Sequence, residues 1–280
     1  MIWRLIFIIM LVYRVDYTTA QKVMLDIPFC KNAGTEQRMD IYLPKGNGFR
    51  TILFLHEGSL VSGDKKDSPL EEVARKFQQG GVCFVAANYR LGPQNKWPSQ
   101  PEDACAAFAW LKNNLFAHGA DTSKIFVMGH SSGAFLAAVI STDSKYWHAT
   151  RYNLKSIAGF IAIGTQLDPM LPAVPEDRLQ EWFERDNYLK IFGSRIVFED
   201  ANPRTHINNE MPKGLILVAE SEQFQPPLLR QAKEFVDEGK RIGLNLTYWV
   251  VKDRTHMSTI TRMPGENDET YNIVAQFIKD

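Results

Sequence analysis

Residues 125–138 read IFVMGHSSGAFLAA. The apolar residues 125–128 have the pattern of a buried strand, and residues 132–140 have the pattern of a helix. Between them, residues 129–133 fit the motif Gly-x-Ser-x-Gly. A serine in this strand–turn–helix order sits at a sharp, strained turn, and the flanking glycines let the strand and the helix approach closely. We therefore predict that Ser131 is a nucleophile at the start of a helix.

The chain after residue 50 alternates between short apolar runs and helical patterns. The strand-like runs are residues 51–55, 82–86, 125–128, 157–163, 215–218 and 246–251. The helical patterns fall near residues 70–77, 104–111, 132–140, 228–238 and 269–278. Runs of about five apolar residues suit strands that are buried on both faces. The alternation predicts an α/β fold, a mostly parallel sheet with helices on both faces.

An edge hairpin is predicted ahead of this region. Residues 23–28 and 39–43 have the composition of two strands joined by a polar turn. We expect them to pair antiparallel at one edge of the sheet. With the six later runs, they predict a sheet of about eight strands.

The composition is that of a globular chain without net charge. The protein has 280 residues, of which 45% are apolar, and its basic and acidic residues number 32 each. A neutral chain gives no electrostatic reason to bind nucleic acid or an anionic membrane surface. The six histidines lack the spacings of a zinc site. We expect one domain, no nucleic-acid partner and no metal ion, and the oligomeric state is not readable from the sequence.

The first twenty residues have the order of a secretory signal peptide. Residues 1–4 carry a positive charge, residues 5–13 are wholly apolar, and residues 18–20 are small. Nine apolar residues are too few to span a bilayer. We expect cleavage near Ala20, which leaves a secreted or periplasmic chain, residues 21–280, without an integral membrane span. An uncleaved anchor or a cytosolic start is the alternative.

Three cysteines are an odd number with no metal or redox spacing. Cys83 lies in a strand-like run and Cys105 in a helical pattern, so both are predicted to be buried. Cys30 lies in a stretch that is predicted to be exposed. One disulfide could form in an exported protein, and the spacing selects no pair.

A stretch from about residue 168 to residue 210 interrupts the strand–helix alternation. It contains an amphipathic piece, residues 176–191, and four prolines, Pro169, Pro172, Pro175 and Pro203. Insertions of this kind in an α/β sheet sit above the strand ends and shape the pocket. We predict a small cap, not a second domain.

Several blocks of the chain together resemble a known family. Residues 53–58 and 63–65 resemble a His-Gly-Gly block followed by Gly-Asp, and residues 88–91 resemble a Tyr-Arg-Leu segment. Residues 121–133 resemble the nucleophile block, and residues 201–203 a Ser-Pro segment. From about residue 38 onward the chain resembles the esterase/lipase branch of the α/β-hydrolases, near the hormone-sensitive-lipase-like and bacterial feruloyl-esterase-like carboxylesterases.

The resemblance implies the α/β-hydrolase fold and the partners of the nucleophile. These follow in the order serine, acid, histidine. His256 stands after the last strand-like run and before the final helix, and it is the predicted base. His118, His148 and His206 are predicted to be structural or exposed.

The acid is expected on the loop after residues 215–218, which carries two glutamates. Glu222 is further along the turn, where its side chain can reach His256, and it is preferred. Glu220 and Asp253 are the alternatives. The family's acid is usually Asp, and Glu reaches slightly further.

Oxyanion donors are expected from backbone N–H groups near the nucleophile. The predicted donors are those of Ser132, directly after Ser131, and of Glu57 and Gly58 in the loop after an early central strand. The family usually has Gly where this chain has Glu57. A carboxylate there is expected to intrude on the oxyanion site and to place negative charge beside it.

These residues predict a serine hydrolase that cleaves small-molecule carboxylic esters, short-acyl or aryl, through an acyl-enzyme and without metal or organic cofactor. An arylformamidase-type amide hydrolase would use the same residues. Glu57 also invites a third hypothesis, a catalytically weak or inactive binding protein on the hydrolase scaffold.

Overall fold

The computed structural model describes residues 21–168, 188–224 and 228–280. The predicted signal peptide, residues 1–20, lies outside the described residues, as does most of the amphipathic piece of the predicted cap. Among the described helices, none has the length and apolar character needed to cross a membrane.

The core of the molecule is one sheet of eight strands. The strands are β1 (Lys22–Pro28), β2 (Arg38–Leu43), β3 (Phe49–Leu55), β4 (Cys83–Ala87), β5 (Ala120–His130), β6 (Gly159–Ile163), β7 (Gly214–Ala219) and β8 (Leu246–Val251). They lie in the order β1-β2-β4-β3-β5-β6-β7-β8. β1 pairs antiparallel with β2, and β2 with β4, whereas all pairs from β4 to β8 are parallel. The structure thus confirms the predicted edge hairpin and the mostly parallel sheet.

Helices cover both faces of the sheet. They are α1 (Leu70–Gln79), α2 (Ser99–Asn114), α3 (Ser132–Thr142), α4 (Tyr188–Phe192), α5 (Arg195–Asp200), α6 (Leu228–Arg241), α7 (Ser258–Thr261) and α8 (Glu269–Lys279). α2 and α3 contribute to one hydrophobic core, and α1 and α8 contribute to a second core on the other face.

The two cores explain why the central strands are apolar without interruption. Successive side chains of a strand point to opposite faces. In β3, Leu53 and Leu55 pack in one core, while Ile52 and Phe54 pack in the other. Because both faces are covered there, residues 52–55 are all apolar, whereas Arg50 and Thr51 nearer the start of the strand are polar.

β5 is longer than the apolar run that predicted it. The prediction covered residues 125–128, whereas the strand begins at Ala120. Ala120 pairs with Phe49 of β3 across a register irregularity. The added residues 121–124 are polar, half-buried or exposed, and they lie within this irregularity, between the pairs Phe49–Ala120 and Thr51–Ile125.

The three cysteines are free thiols. Cys83 and Cys105 are buried, as predicted, and Cys30 is half-buried. The disulfide that was considered is therefore not formed in this structure.

The carboxyl ends of the parallel strands collect the predicted site at one edge of the sheet. β3 leads into the loop of Glu57, β5 into Ser131, β7 into Glu222 and β8 into the loop of His256. Parallel strands all end on the same side, which is where ligands bind in such sheets.

Candidate active site

The turn at Ser131 has the strained geometry of a nucleophile elbow. Ser131 has φ 52° and ψ −122°, a conformation that non-glycine residues rarely adopt. Its N–H donates to the carbonyl of Ile163 at 2.9 Å, which ties the turn to β6. A Cβ at Gly133 would overlap the carbonyl oxygens of Leu55 and His56, and one at Gly129 would overlap the backbone of Gly133. Both motif glycines are therefore required by the close packing of β5, α3 and β3.

The imidazole of His256 is held by the predicted acid. Nδ1 of His256 lies 2.6 Å from Oε1 of Glu222. The other oxygen, Oε2, accepts a hydrogen bond from the backbone N–H of Ala219 at 2.9 Å. Glu222 is buried, so its carboxylate has these two donors in place of water. With Nδ1 engaged, the Nε2 side of the His256 ring remains for a reacting group.

The other two acid candidates, Glu220 and Asp253, contact each other within the loops and do not bind the imidazole. Glu220 accepts a hydrogen bond from the backbone N–H of Asp253 at 2.9 Å. The loop is fixed further by a buried ion pair in which Arg254 and Asp268 approach to 2.6 Å. Of the three carboxylates considered, only Glu222 is hydrogen-bonded to His256 among the described residues.

The pKa of His256 lies above its ordinary value. The hydrogen bond to Glu222 is the largest cause, and it outweighs the opposing effect of burial. The negative charges of Glu222 and Glu57 add to the increase. A base with a raised pKa accepts a proton readily, which suits general-base chemistry near neutral pH.

Ser131 and His256 line one cavity of about 610 Å³. Glu222 also lines it. The volume is within the range of small-molecule sites. The cavity thus exposes a hydroxyl, an imidazole and the carboxylate bound to that imidazole to the same ligand.

Backbone amides are available beside Ser131. α3 begins at Ser132, and the first N–H groups of a helix have no acceptor inside the helix. Ser132 lines the cavity together with Ser59 and Leu60 from the loop after β3. Within the described parts of the chain, Glu57 and Gly58 are not among its lining residues. The two predicted loop donors therefore lie just before the stretch of loop that faces the cavity.

The side chain of Glu57 does not enter the cavity, contrary to the expectation drawn from its position. Its Oε2 atom is hydrogen-bonded to Nδ1 of His130, the residue before Ser131. Nε2 of His130 lies 2.9 Å from the carbonyl oxygen of His256. The carboxylate is therefore bound to a buried imidazole and is not part of the cavity lining.

Aromatic side chains form part of the wall of the cavity. Tyr188, Phe192 and Phe198, from α4 and α5, line it with Phe135 of α3. Phe198 lies 4.8 Å from Tyr188 and 4.9 Å from Phe192 between ring centroids. The described end of the predicted cap thus contributes an apolar surface to the cavity that Ser131 lines.

A charged cluster ties this segment to α6. Arg204 contacts Asp168 at 3.1 Å, Glu234 at 2.6 Å and Glu238 at 3.0 Å. Asn202 donates to Asp168 at 2.8 Å. These contacts hold the segment after α5 against the body of the molecule.

Sequence reasoning did not identify the aromatic wall, Leu60, or the glycine after β6. Gly164 has φ +59°, and a Cβ there would come within 2.9 Å of His256 Nδ1. Its position directly after a buried strand was a usable signal, because glycine permits close approach. The aromatic residues lie in separate segments, and no local pattern marks them as neighbours.

The remaining histidines stay outside this cavity. Nδ1 of His148 lies 3.0 Å from the carbonyl of Lys145 on the surface. Nε2 of His206 lies 2.7 Å from the carbonyl of Asp200. His118 ends a short 3₁₀ turn, Leu115–His118.

Comparison with known proteins finds a family match and similarity to several esterases. The sequence profile of the BD-FAE family matches residues 39–236, more than half of the chain. A probable carboxylic ester hydrolase, LipM, from Mycobacterium tuberculosis is 26% identical over 209 residues, which cover 70% of this chain and 46% of LipM. Human arylacetamide deacetylase-like 2 is 26% identical over 221 residues, covering 73% of this chain and 52% of that protein. The chain thus spans about half the length of these relatives.

Solved structures share the fold. A truncated carbohydrate esterase from gut microbiota superimposes with a TM-score of 0.76 at 15% identity, covering 93% of this chain and 96% of that chain. A hyperthermophilic esterase from the archaeon Pyrobaculum calidifontis gives a TM-score of 0.66 at 23% identity, covering 86% and 79%. These matches confirm the predicted α/β-hydrolase fold and, with the family profile, the resemblance drawn from the sequence.

Proposed function

The chain belongs to the BD-FAE family, and from this membership and the geometry of its cavity we propose that it is a serine hydrolase that cleaves carboxylic esters of small molecules. The observation that carries the proposal is the Glu222–His256 contact at 2.6 Å, at a cavity that Ser131 also lines. The naming of two relatives as an ester hydrolase and a deacetylase supports the same chemistry.

In the proposed mechanism, Ser131 Oγ attacks the ester carbonyl and His256 takes its proton at Nε2. Glu222 orients the ring through Nδ1 and stabilises the imidazolium that forms. The imidazolium then protonates the departing alkoxide, which leaves an acyl group on Ser131. Water, deprotonated by His256, cleaves this acyl-enzyme and restores the serine.

The developing oxyanion is assigned to backbone N–H groups. Ser132 supplies one, because its amide belongs to the first turn of α3. The loop after β3 supplies the others. Glu57 and Gly58 remain the predicted donors there, and Ser59 joins them because it lines the cavity.

The proposed substrates carry a compact acyl group or an aryl group. The wall formed by Phe135, Phe192 and Phe198 supports this class, since aromatic side chains pack against flat apolar groups. An aryl formamide could pack against the same aromatic residues. The substrate test therefore includes one, to examine the amide-hydrolase alternative.

The test is hydrolysis of p-nitrophenyl acetate and butyrate by the purified protein. Native protein is expected to turn over, and Ser131→Ala is expected to lose several powers of ten in kcat. Ser123→Ala removes a hydroxyl from an exposed serine and is the matched control. Equal activity of the native protein and Ser131→Ala would contradict the proposal.

A substrate panel separates the remaining alternatives. Acetyl esters, aryl esters and an aryl formamide are compared by kcat/KM. Preference for the formamide would identify the amide hydrolase. A folded protein that binds these compounds without turnover would identify a binding protein on the hydrolase scaffold.

Export is part of the proposal. The charged, apolar and small segments of residues 1–20 support a signal peptide. N-terminal sequencing of the protein recovered outside the cytoplasm is expected to begin near Gln21. Recovery only inside cells, with Met1 retained, would contradict it.

A further inference from the structure

Both ring nitrogens of His130 face hydrogen-bond acceptors. Nδ1 meets the carboxylate of Glu57, and Nε2 meets the carbonyl oxygen of His256 at 2.9 Å. A neutral imidazole carries only one N–H. Hydrogen bonds at both nitrogens require two protons in the Glu57–His130 pair. A neutral imidazole beside an ionised carboxylate has only one such proton, so the pair holds one more. Wherever that proton resides, the pair has no net charge.

The burial of the pair favours this neutral state. The side chain of His130 is fully buried, and that of Glu57 is 31% exposed. Burial alone would raise the pKa of Glu57, but the hydrogen bond to His130 and the nearby rings of His256 and His56 hold that pKa below its ordinary value. The lowered pKa favours the ionised carboxylate, and with an acceptor facing each ring nitrogen this leaves an N–H on both nitrogens of His130. An unpaired charge at this depth would be costly.

The pair is in contact with the backbone and ring of His256. The rings of His130 and His256 lie 4.5 Å apart between centroids. The carbonyl oxygen of His256 accepts from His130 and also from the hydroxyl of Thr259, at 2.6 Å. Two buried donors thus fix the backbone from which the imidazole of His256 projects.

The charge balance around His256 depends on this pairing. The ring faces the carboxylate of Glu222, which binds it directly, the carboxylate of Glu57 and the ring of His130. An unpaired carboxylate at Glu57 would favour the imidazolium form of His256, and a protonated His256 cannot act as a base. The positive charge of His130 offsets that effect.

We propose that Glu57 and His130 form a charge-neutral positioning pair, in which His130 holds the backbone of His256 and Glu57 keeps both nitrogens of His130 protonated. The proposal rests on the proposed role of His256 as a base. Neither side chain touches the reacting atoms. The pair explains how this chain accommodates a glutamate where the resemblance predicts glycine.

The direct test is a titration of the His256 ring by NMR, with histidine labelled in the ring. Glu57→Gln replaces one neutral pair by another, so the titration midpoint of His256 does not fall. His130→Gln leaves the carboxylate of Glu57 unpaired, so the midpoint rises. In the double variant with Glu57→Gln and His130→Gln, the titration midpoint of His256 returns to its native value. A clear fall in Glu57→Gln alone, or an unchanged midpoint in His130→Gln, would overturn the proposal.

The titration does not depend on turnover, so it separates this proposal from the proposed function. If Ser131 were not the nucleophile, Ser131→Ala would keep its activity, and the titration midpoints of His256 in the Glu57 and His130 variants would still be as expected here. Because Glu57 is partly exposed, Glu57→Gln remains informative even where His130→Gln fails to fold. Thermal unfolding of each variant identifies such a failure.

A kinetic test addresses the positioning role. At alkaline pH, where His256 is neutral in every variant, His130→Ala is expected to lose about tenfold in kcat, because an undirected base misplaces the reacting atoms. His130→Gln retains more, since its amide can still donate to the carbonyl of His256. Thr259→Val, the matched control, removes the other donor and lowers kcat without moving the pH profile. Native kcat in His130→Ala would overturn the positioning role.

Discussion

Glu222 holds His256 by a hydrogen bond of 2.6 Å to Nδ1, while its second oxygen is fixed by the backbone N–H of Ala219. The carboxylate therefore has one orientation, and through it the ring has one orientation. A buried glutamate so constrained at the end of β7 fixes the direction of the imidazole that we propose as the base, and it raises the pKa of that imidazole.

Replacing this carboxylate tests its role. Glu222→Gln is expected to lower kcat by about 10³–10⁴-fold, because an amide neither stabilises the imidazolium nor selects the tautomer. It is also expected to move the acid limb of kcat/KM to lower pH, since the largest cause of the raised pKa of His256 is removed. Glu220→Gln is the matched control, and an equal loss there would point to Glu220 as the acid.

The pH dependence of the native protein follows from His256. The hydrogen bond to Glu222 raises the pKa of His256 above its ordinary value of 6.5. His256 must be neutral to act as a base, so kcat/KM falls as the pH drops through that raised pKa. The acid limb is therefore expected above about pH 6.5. A limb centred well below that value would contradict the assignment of the base.

The close packing of the elbow predicts a large stability effect. A Cβ at Gly133 would overlap the carbonyl oxygens of Leu55 and His56, which belong to the backbone and cannot rotate away. Gly133→Ala is expected to reduce the free energy of unfolding by about 3 kcal/mol, measured by urea denaturation. Gly34→Ala is the control, because a Cβ there meets nothing within 4 Å. Equal midpoints for both variants would contradict the packing.

The aromatic wall predicts a change in substrate preference. Phe192→Ala removes a ring that lines the cavity and packs on Trp97. We expect KM for a naphthyl ester to rise about tenfold, with a smaller change for the acetyl ester. Phe116→Ala, at a side chain 78% exposed, is the matched control. An equal change for both esters would show that the wall does not select aryl groups.

The sequence predicted the parts of this structure that are encoded locally. The apolar runs that became β3 to β7 are largely buried because the sheet is covered on both faces there. The run that became β8 lies at the edge of the sheet, and its residues 247–250 are exposed or half-buried. The hairpin of β1 and β2 could be read from its polar turn. Ser131 could be identified because the elbow is a strand, a turn and a helix in direct succession.

Parts that depend on contacts between distant residues could not be predicted. Glu57 and His130 are 73 positions apart, and nothing near either residue indicates their pairing. Glu57 was therefore expected to disturb the oxyanion site. The wall of Phe135, Phe192 and Phe198 likewise comes from segments that only the folded sheet brings together. The choice of Glu222 over Glu220 depended on a reach across the turn, which only coordinates measure.

Labelling with a fluorophosphonate, followed by peptide mass spectrometry, shows whether Ser131 is a nucleophile that His256 activates. We expect a single adduct on Ser131 in the native protein, no adduct in Ser131→Ala, and labelling slowed by several powers of ten in His256→Ala. An adduct on another residue, or undiminished labelling of folded Ser131→Ala, would contradict this role of Ser131.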